Sequence, residues 1–533
     1  MKFSKPLQSF LGLGLIVLAT SLFSPSVFLG PDHSLLSRAH AGFFNQDLEL
    51  FEEIVDLIQD KYVYPPNFKT MFSGAIEEMV QFIKDENLKL DTLPSGQSLA
   101  WKNNRIWFQL NYDQDKDMRD FRRVFYFLLD ESKGNVKKAE LEVAAINGMM
   151  NSLDPYSQFM DKETFEKSMR DTEGKYGGLG MVITMKDKKL VIVRTMKDSP
   201  AERAGILPDD VFVSANGQEV RSMQIRELAE SLRGFPNTKA TFTLFRPSEN
   251  REKTYTLTRE IIEIETVTYE KLEDQIAHIR IASFSKQTND QLEAALDQAK
   301  KDGALSFILD LRDNPGGLLT QSVKVASHFT SDDRLIVYTK GRDAGQYQEY
   351  HAENKGNLQN MPVVILVNQY SASASEIVAG ALRDAGKALV MGETSYGKGS
   401  VQTIFRINDG AGLRITTSKY FTPSGIDITE YGIIPDIMIE KTDPEPAGDP
   451  KPGEERIKPK PSLPGLPAIR LKLSDVTKLL QDQGIVVDNG HDPLLRFAQS
   501  TIKNIRVANK KVTLEKAREL AANIQYESTP LNR

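Results

Sequence analysis

Three serines and one lysine are the residues of this sequence whose types and spacing most directly indicate chemistry. Ser371, Ser373 and Ser375 alternate with alanines in an S-A-S-A-S run, and Lys398 follows between two glycines. A serine hydroxyl becomes a nucleophile when a neighbouring base removes its proton, and a lysine of lowered pKa can be that base. The pattern predicts nucleophilic catalysis by a serine and a lysine, and it leaves open which serine attacks.

The elements that must position these serines are a strand and a helix. The apolar run Pro362–Val367 has the length and β-branched content of a buried strand. Apolar residues recur at helical spacing from Ile377 to Leu382, and Gly386 marks the end of that helix. The serines therefore occupy a strand-to-helix corner, which exposes a hydroxyl and directs helix N-terminal amides toward the group it attacks.

A second glycine-rich corner follows the predicted strand Ser306–Arg312. It has the sequence D-N-P-G-G and ends in Gly316 and Gly317, before a predicted helix at about 318–329. Backbone N–H groups at such a corner are available to stabilise an anion. Beside a candidate nucleophile, we interpret this corner as part of an oxyanion hole.

The lysine needs a special environment to act as a base. A lysine in water has a pKa near ~10.4, and lowering it by three units corresponds to roughly 4 kcal/mol in favour of the neutral amine. Burial among apolar neighbours has this effect. The apolar strand Ala388–Met391 before Lys398, and Val401 after it, predict such a setting.

Two other serine mechanisms have weaker support. The chain has six histidines, at positions 33, 40, 278, 328, 351 and 491, and none lies in the serine stretch, although folding could bring one there. An S-x-x-K pattern, Ser283 to Lys286, ends a strand instead of beginning a helix. We interpret it as solvated surface.

Composition excludes several other classes of site. Among 533 residues there is no cysteine, which excludes disulfides, a cysteine nucleophile and thiolate metal sites. The formal net charge of −6 gives no electrostatic footprint for nucleic acid. No metal or organic cofactor is implied.

The N-terminus predicts export. Lys2 and Lys5 precede an apolar run at Phe10–Phe23, and Ala39-His40-Ala41 is a candidate cleavage site. We expect a signal peptide at 1–41, or alternatively an uncleaved anchor. The protein is then periplasmic or otherwise extracytoplasmic, with membrane contact only through an uncleaved segment.

Residues 174–261 resemble a PDZ domain over their whole length. They carry a glycine-rich loop, the run SPAERAG followed by LPDD and NG, several alternating strands and a helix at Ile225–Leu232. In such a domain, loop amides hold a terminal carboxylate, an open strand edge pairs with an extended peptide and a helix supplies an apolar wall. The predicted peptide-binding residues are Gly178, Leu179, Gly180, Met181, Leu228 and Leu232.

Four motifs together resemble the C-terminal processing, or tail-specific, proteases of peptidase family S41. They are GMMNSLDPYSQFM, LRDNPGGLL, the stretch from VNQYSASASEIV to SYGKGSVQ, and YFTPSGIDITEYGIIPDI. The resemblance covers about residues 47–440, apart from an insertion near 84–139. It implies Ser373 as nucleophile, Lys398 as general base and Gln402 as its support. An oxyanion hole is implied from the Ala374 amide and that of Gly316 or Gly317.

The resemblance also implies an α/β multi-domain fold whose protease core is crotonase/ClpP-like. The predicted division is a signal or anchor at 1–41, an N-terminal helical region at 42–173 with the insertion at about 84–139, a PDZ domain at 174–261, an S41 core at 262–441, a Pro-rich linker at 442–467 and a helical C-terminal extension at 468–533. We expect the insertion to have its own small core.

Spacing adds one conformational expectation. If Lys398–Gln402 were a strand, the two side chains would stand roughly 13 Å apart, whereas a helical turn makes them neighbours. We therefore predict a helical turn there in the active state, and an extended segment would indicate a resting form or no supporting role for Gln402. Two departures from the family pattern, Tyr156 where histidine is common and Tyr396 where phenylalanine is common, are expected not to touch the chemistry.

The sequence as a whole predicts an exported serine endopeptidase that captures substrate C-terminal tails through its PDZ domain. The alternative is a catalytically silent PDZ scaffold that only binds such tails. Protein substrates are the expected partners, and the resemblance leaves open an adaptor protein and a homodimer formed through the N-terminal helices.

Overall fold

The computed structural model describes residues 48–93, 96–186, 188–221, 223–331, 333–353, 358–407, 410–440, 463, 466–487, 492–522 and 527–528. The predicted signal segment and almost all of the predicted linker lie outside these residues. Across the described ranges, no helix is both long and apolar enough to cross a membrane.

The N-terminal region is built from helices and one small sheet around a shared core. Its elements are α1 (Glu49–Lys61), α2 (Phe68–Ile83), β1 (Leu88–Leu93), β2 (Gly96–Trp101), β3 (Asn104–Phe108), α3 (Gln114–Glu131) and α4 (Lys138–Asn151). The three strands pair antiparallel in chain order. Phe121 of α3 stacks on Phe51 of α1, with ring centroids 4.2 Å apart. The prediction of a separate small core at 84–139 is wrong, because Trp101 and Phe121 complete the core of the flanking helices.

A short strand and a helix lead into the PDZ domain. The elements from here to its end are β4 (Gln158–Met160), α5 (Lys162–Glu173), β5 (Lys175–Gly178), β6 (Met181–Lys186), β7 (Lys189–Thr195), α6 (Pro200–Arg203), β8 (Val211–Ala215), β9 (Gln218–Glu219), α7 (Ile225–Leu232), β10 (Lys239–Arg246), β11 (Arg251–Thr258) and β12 (Glu260–Glu263). The main sheet has the order β11-β10-β8-β7-β6, so β6 is an edge strand. Strands β5 and β12 pair at the junction with the core, and α7 has the predicted bounds.

The predicted protease core consists of a large, mostly parallel sheet and a smaller antiparallel one. Its elements are β13 (Val267–Lys271), β14 (Ile276–Ile281), α8 (Thr288–Lys301), β15 (Ser306–Asp310), α9 (Leu319–Ser327), β16 (Leu335–Lys340), a 3-10 turn (Ala344–Gln346), β17 (Gln348–His351), β18 (Val363–Val367), α10 (Ala374–Asp384), β19 (Ala388–Gly392), β20 (Ser400–Arg406), β21 (Gly412–Phe421), α11 (Ile428–Tyr431) and β22 (Ile437–Glu440). The second sheet has the order β17-β16-β21-β20, and β4 also pairs with β21.

The C-terminal extension is a layer of this core. It contains β23 (Ile469–Lys472), α12 (Leu473–Asp482), α13 (Pro493–Ile502), α14 (Lys510–Leu520) and β24 (Glu527–Ser528). The large sheet has the order β13-β14-β15-β18-β19-β22-β23-β24. Its buried strands alternate, so that Val363 and Ile365 pack toward α8, α9 and α10, while Val364 and Leu366 pack toward the extension. The extension is helical as predicted, and it also adds two strands to the sheet.

Parallel pairing of neighbouring strands brings the two predicted corners together. Strands β15 and β18 pair with Asp310 opposite Leu366. The glycine corner follows β15 and the serine corner follows β18, so both lie at the carboxyl edge of one sheet. Strand β19 pairs with β18 on its other side and leads into the loop that carries Lys398.

Candidate active site

Ser373 occupies a backbone conformation that non-glycine residues seldom adopt. Its φ is 53° and its ψ is −112°, and α10 begins at the next residue. Its backbone N–H donates to Glu376 Oε2 at 2.7 Å, which holds the corner closed. Strained backbone of this kind is concentrated at functional sites, where the surroundings over-determine it.

The other two serines of the run are engaged in structure. The Ser371 hydroxyl donates to the Leu311 carbonyl at 2.8 Å, and the Ser375 hydroxyl donates to the Asn314 carbonyl at 3.0 Å. Both side chains are fully buried, whereas Ser373 is half-buried. The structure therefore distinguishes Ser373 from the other two serines, a distinction that the sequence pattern alone did not make.

The Glu376 carboxylate joins the serine corner to the lysine loop. Its Oε2 accepts from the backbone N–H groups of Ser373 and, at 2.9 Å, Lys398. Its Oε1 accepts from the Gly397 N–H at 2.6 Å and from the Ser395 hydroxyl. The carboxylate is completely buried. Sequence reasoning missed Glu376, although Ser373 followed three residues later by a glutamate is the pattern of a capping box.

Lys398 is half-buried and lies against an aromatic ring. Its Nζ is 5.2 Å from the centroid of Tyr156, so the expectation that Tyr156 does not touch this chemistry is wrong. Burial, reinforced by the charge of Arg414, lowers the lysine pKa, and Glu376 opposes that effect. Within the described chain, no hydrogen bond joins Lys398 Nζ to the Ser373 hydroxyl.

Gln402 lies in strand β20, so the helical turn that we predict at 398–402 for the active state is absent from this conformation, the outcome expected of a resting form or of no supporting role for Gln402. Strand β20 pairs with β21 along its length, with a bulge between Val401 and Gln402. The Gln402 side-chain amide donates to Ser400 Oγ at 2.7 Å. Long-range pairing overrides the local spacing on which the helical prediction rested.

The glycine corner lies directly against Ser373. A Cβ added at Gly316 would be 2.7 Å from Ser373 Cβ and from the Ala372 carbonyl, and its φ is +98°. The Gly316 N–H donates to Asn314 Oδ1 at 2.9 Å. The N–H groups of Gly317 and Ala374 meet no protein acceptor in the described part of the chain. Of the three predicted donors, these two are available to an oxyanion.

A cleft of about 620 Å³ adjoins the glycine corner. It is lined by Gly316, Gly317 and Gln402, by apolar side chains including Met160 and Tyr420, and by Arg414. It extends toward α5 and the PDZ helix α7.

The lysine of the S-x-x-K pattern and the described histidines form contacts with other residues. Lys286 of the S-x-x-K pattern forms an ion pair with Glu173 at 3.1 Å. The interpretation of this pattern as solvated surface is wrong in part, because Ser285 is buried and Ser283 lines the cleft. Of the three histidines in the described ranges, His328 binds Asn289, His278 adjoins Asp310 and His351 lies near Glu349. Among the described residues, no group of three or more acidic or histidine side chains could hold a metal ion.

The predicted PDZ groove is closed at its apolar wall. Leu228 and Leu232 pack into the domain core with Leu179 and have almost no exposed surface. Gly178 is the last residue of β5, Met181 is the first residue of the edge strand β6, and Gly180 lies in the turn between them. A peptide side chain can reach the two helix leucines only if β6 and α7 separate.

Comparisons with known proteins match three parts of the chain. A model described as peptidase family S41 matches residues 275–439, and a PDZ domain model matches 191–246. A model of the activating protease CtpB N-terminal domain matches 97–164, which crosses the predicted end of the insertion at 139.

Two curated relatives and one solved structure are also similar. The carboxy-terminal-processing protease of Bartonella bacilliformis is 39% identical over 375 residues, covering 69% of this chain and 84% of that protein. A probable CtpA-like serine protease of Staphylococcus saprophyticus is 37% identical over 336 residues, covering 62% and 67% respectively. The structure titled photosystem II D1 C-terminal processing protease has a TM-score of 0.40 and 24% identity, covering 74% of this chain and 93% of that one. This chain belongs to peptidase family S41 and is a serine endopeptidase with a PDZ domain.

Proposed function

We propose that Ser373 is the nucleophile and Lys398 the general base of this peptidase. The single observation that carries the proposal is the Glu376 carboxylate, which binds the backbone N–H groups of both residues. Two segments that are distant in sequence are thereby fixed to one buried anchor. The lowered pKa of Lys398 supports the role of a base.

In this mechanism, neutral Lys398 accepts the Ser373 hydroxyl proton as the oxygen attacks the substrate carbonyl. The N–H groups of Gly317 and Ala374 donate to the developing oxyanion. Lys398 then returns the proton to the leaving amine, the peptide C–N bond breaks and an acyl-enzyme remains. Lys398 next takes a proton from a water molecule as the water oxygen attacks the ester carbonyl. It returns this proton to the Ser373 oxygen as the ester C–O bond breaks, which releases the carboxyl product and regenerates Ser373 and neutral Lys398.

The described conformation corresponds in this proposal to a resting form. Lys398 must leave the Tyr156 ring to reach Ser373, and Gln402 supports it only after the segment at 398–402 rearranges. Binding of a substrate tail to the PDZ domain shifts this equilibrium only if the tail binds the active form more tightly. The closed groove beside α7 supports such coupling, because opening it would move the domain that borders the cleft.

The wider assignments from the sequence are part of the same proposal. The protein is exported by its N-terminal segment at 1–41 and acts outside the cytoplasm on proteins that it holds by their C-terminal tails. The domain limits are those predicted, with 84–139 assigned to the N-terminal core. An adaptor and a homodimer are compatible with this function and are not required by it.

The decisive experiment compares matched variants on an unstructured protein, casein. Ser373→Ala and Lys398→Ala should each reduce cleavage by at least about 10³-fold. Lys286→Ala, which removes the lysine of the rival pattern, should leave cleavage within about threefold, since surface ion pairs have small effects. Undiminished cleavage by Ser373→Ala would refute the assignment. If the unaltered chain does not cleave even a casein substrate that carries an added C-terminal tail, the result would favour the scaffold alternative.

A further inference from the structure

Arg414 is a charged residue of the cleft that helps to lower the Lys398 pKa, and the proposed mechanism assigns it no contact with the substrate. It lies on β21, is half-buried and lines the same cleft as Gly317 and Gln402. Its guanidinium donates to Ser168 Oγ at 2.8 Å, which engages one of the five N–H donors of an arginine. Within the described chain, no carboxylate forms an ion pair with it.

The charges around the cleft have one sign. Its lining includes Lys167, Arg226 and Arg414 and, among the described residues, no aspartate or glutamate. Lys167 is neutralised by Glu230 at 2.7 Å, and the Arg226 side chain is 86% exposed, so solvent screens it. Of the three, Arg414 alone is sheltered and has no acidic partner among the side chains that the structure describes.

A sheltered guanidinium without a counter-ion is costly in a folded protein. Burial lowers the Arg414 pKa, which reflects this unfavourable desolvation. A single hydroxyl acceptor offsets little of it, and the planar fork of an arginine matches a carboxylate with two parallel hydrogen bonds. The cleft therefore offers a preformed partner for one carboxylate of whatever chain enters it.

We propose that Arg414 determines specificity by binding an aspartate or glutamate side chain of the substrate close to the scissile bond. The inference rests on the proposed function, because it places the substrate chain in the cleft beside Gly317. It concerns the body of the substrate and is separate from tail capture by the PDZ domain. The substrate class is accordingly proteins with an acidic residue near the cleavage site.

The test is digestion of a proteome-derived peptide library by the full chain, with cleaved bonds identified by mass spectrometry. One position within about three residues of the cleaved bond should be enriched in aspartate and glutamate roughly 3- to 10-fold over the library, as expected for a partly screened, charge-assisted pair. Arg414→Gln should abolish the enrichment, and Arg414→Lys, which keeps the charge and loses the planar fork, should retain only part of it. The enrichment is a ratio and is independent of any change in overall rate.

Arg406→Gln is the matched control, because that arginine is exposed on the neighbouring strand and packs over Phe165 at 5.6 Å. It should keep the enrichment. If Arg414→Gln does not fold, the unaltered chain still decides, since the enrichment should fall between about 0.05 M and about 1 M NaCl. Cleavage without acidic enrichment, or enrichment that persists in folded Arg414→Gln, would overturn the inference. Failure of the proposed function would appear differently, as cleavage that Ser373→Ala does not reduce.

Discussion

The ammonium group of Lys398 lies 5.2 Å from the centre of the Tyr156 ring. The two residues belong to different parts of the chain, since Tyr156 precedes β4 and Lys398 precedes β20. A cation over an aromatic face is attracted to it, by about 0.5–1 kcal/mol when exposed and about 2 kcal/mol when desolvated. The contact therefore favours a charged lysine held away from Ser373.

Replacing this ring should raise the basal activity. In Tyr156→Leu the attraction between the ring and the ammonium is lost, so Lys398 can reach Ser373 in a larger fraction of the molecules. We expect casein cleavage in the absence of a preferred tail to increase about 2- to 5-fold, the range that corresponds to about 0.5–1 kcal/mol. Tyr156→Phe is the control, because it keeps the ring and should behave like the unaltered chain. A Tyr156→Leu enzyme with lower basal activity and an unchanged melting temperature would contradict this account.

Glu376 should control kcat more than KM. In Glu376→Gln one acceptor oxygen becomes an amide donor that faces backbone N–H groups, so the serine corner and the lysine loop separate. We expect kcat to fall by about 10²-fold and the free energy of unfolding to fall by about 1–3 kcal/mol. Glu349→Gln, an exposed change, is the control. Steady-state kinetics on a peptide and thermal melts distinguish this result from a uniform loss of folded enzyme.

The pH profile should report the charges around Lys398. The base is active when neutral, so kcat/KM should rise with pH through a lysine pKa that burial and Arg414 hold below its ordinary value. The groups facing it are Arg414, Glu376 and the Tyr156 ring. Arg414→Gln removes one repulsive charge, which raises the lysine pKa and should move the rising limb to higher pH. A shift to lower pH, or none, would show that Arg414 does not act on the base; Arg406→Gln should leave the limb in place.

Gly316 should tolerate no side chain. An added Cβ would meet the Ala372 carbonyl and Ser373 Cβ at 2.7 Å, in a backbone conformation with φ of +98°. Gly316→Ala should therefore displace the serine corner, costing about 1–3 kcal/mol of stability and at least about 10²-fold in kcat. Gly345→Ala is the matched control, because no neighbouring atom lies within 4 Å of the added Cβ. Crystallography of the Gly316→Ala form would show whether Ser373 has moved.

The two corners of the site could be predicted because each is formed by residues that are neighbours in the sequence. Apolar strands followed by small residues and helical periodicity defined both corners, and parallel pairing of β15 with β18 accounts for their proximity. The role of the Glu376 carboxylate in joining Ser373 to Lys398 was missed. It depends on a contact, made only in the folded chain, with a loop that lies about 20 residues later in the sequence.

Two other features also depended on tertiary pairing. The spacing of Lys398 and Gln402 is compatible with a helical turn, and only the register of β20 against β21 decides for a strand. The short run Ile469–Lys472 carries too little pattern to be distinguished from the start of the following helix, and its pairing with β22 defines it as a strand. In both segments, pairing partners that are distant in sequence decide the conformation over local preference.

The position of the C-terminal layer has a consequence for the order of assembly. The face of the large sheet that includes Val364 and Leu366 is covered by residues that come last in the chain, chiefly those of α13. Strands β15 and β18 carry both corners of the proposed site on this sheet, and they are not fully covered until α13 and α14 have been made. During synthesis the protein should thus remain without a working centre until these helices emerge, and a copy truncated before α13 would stay inert.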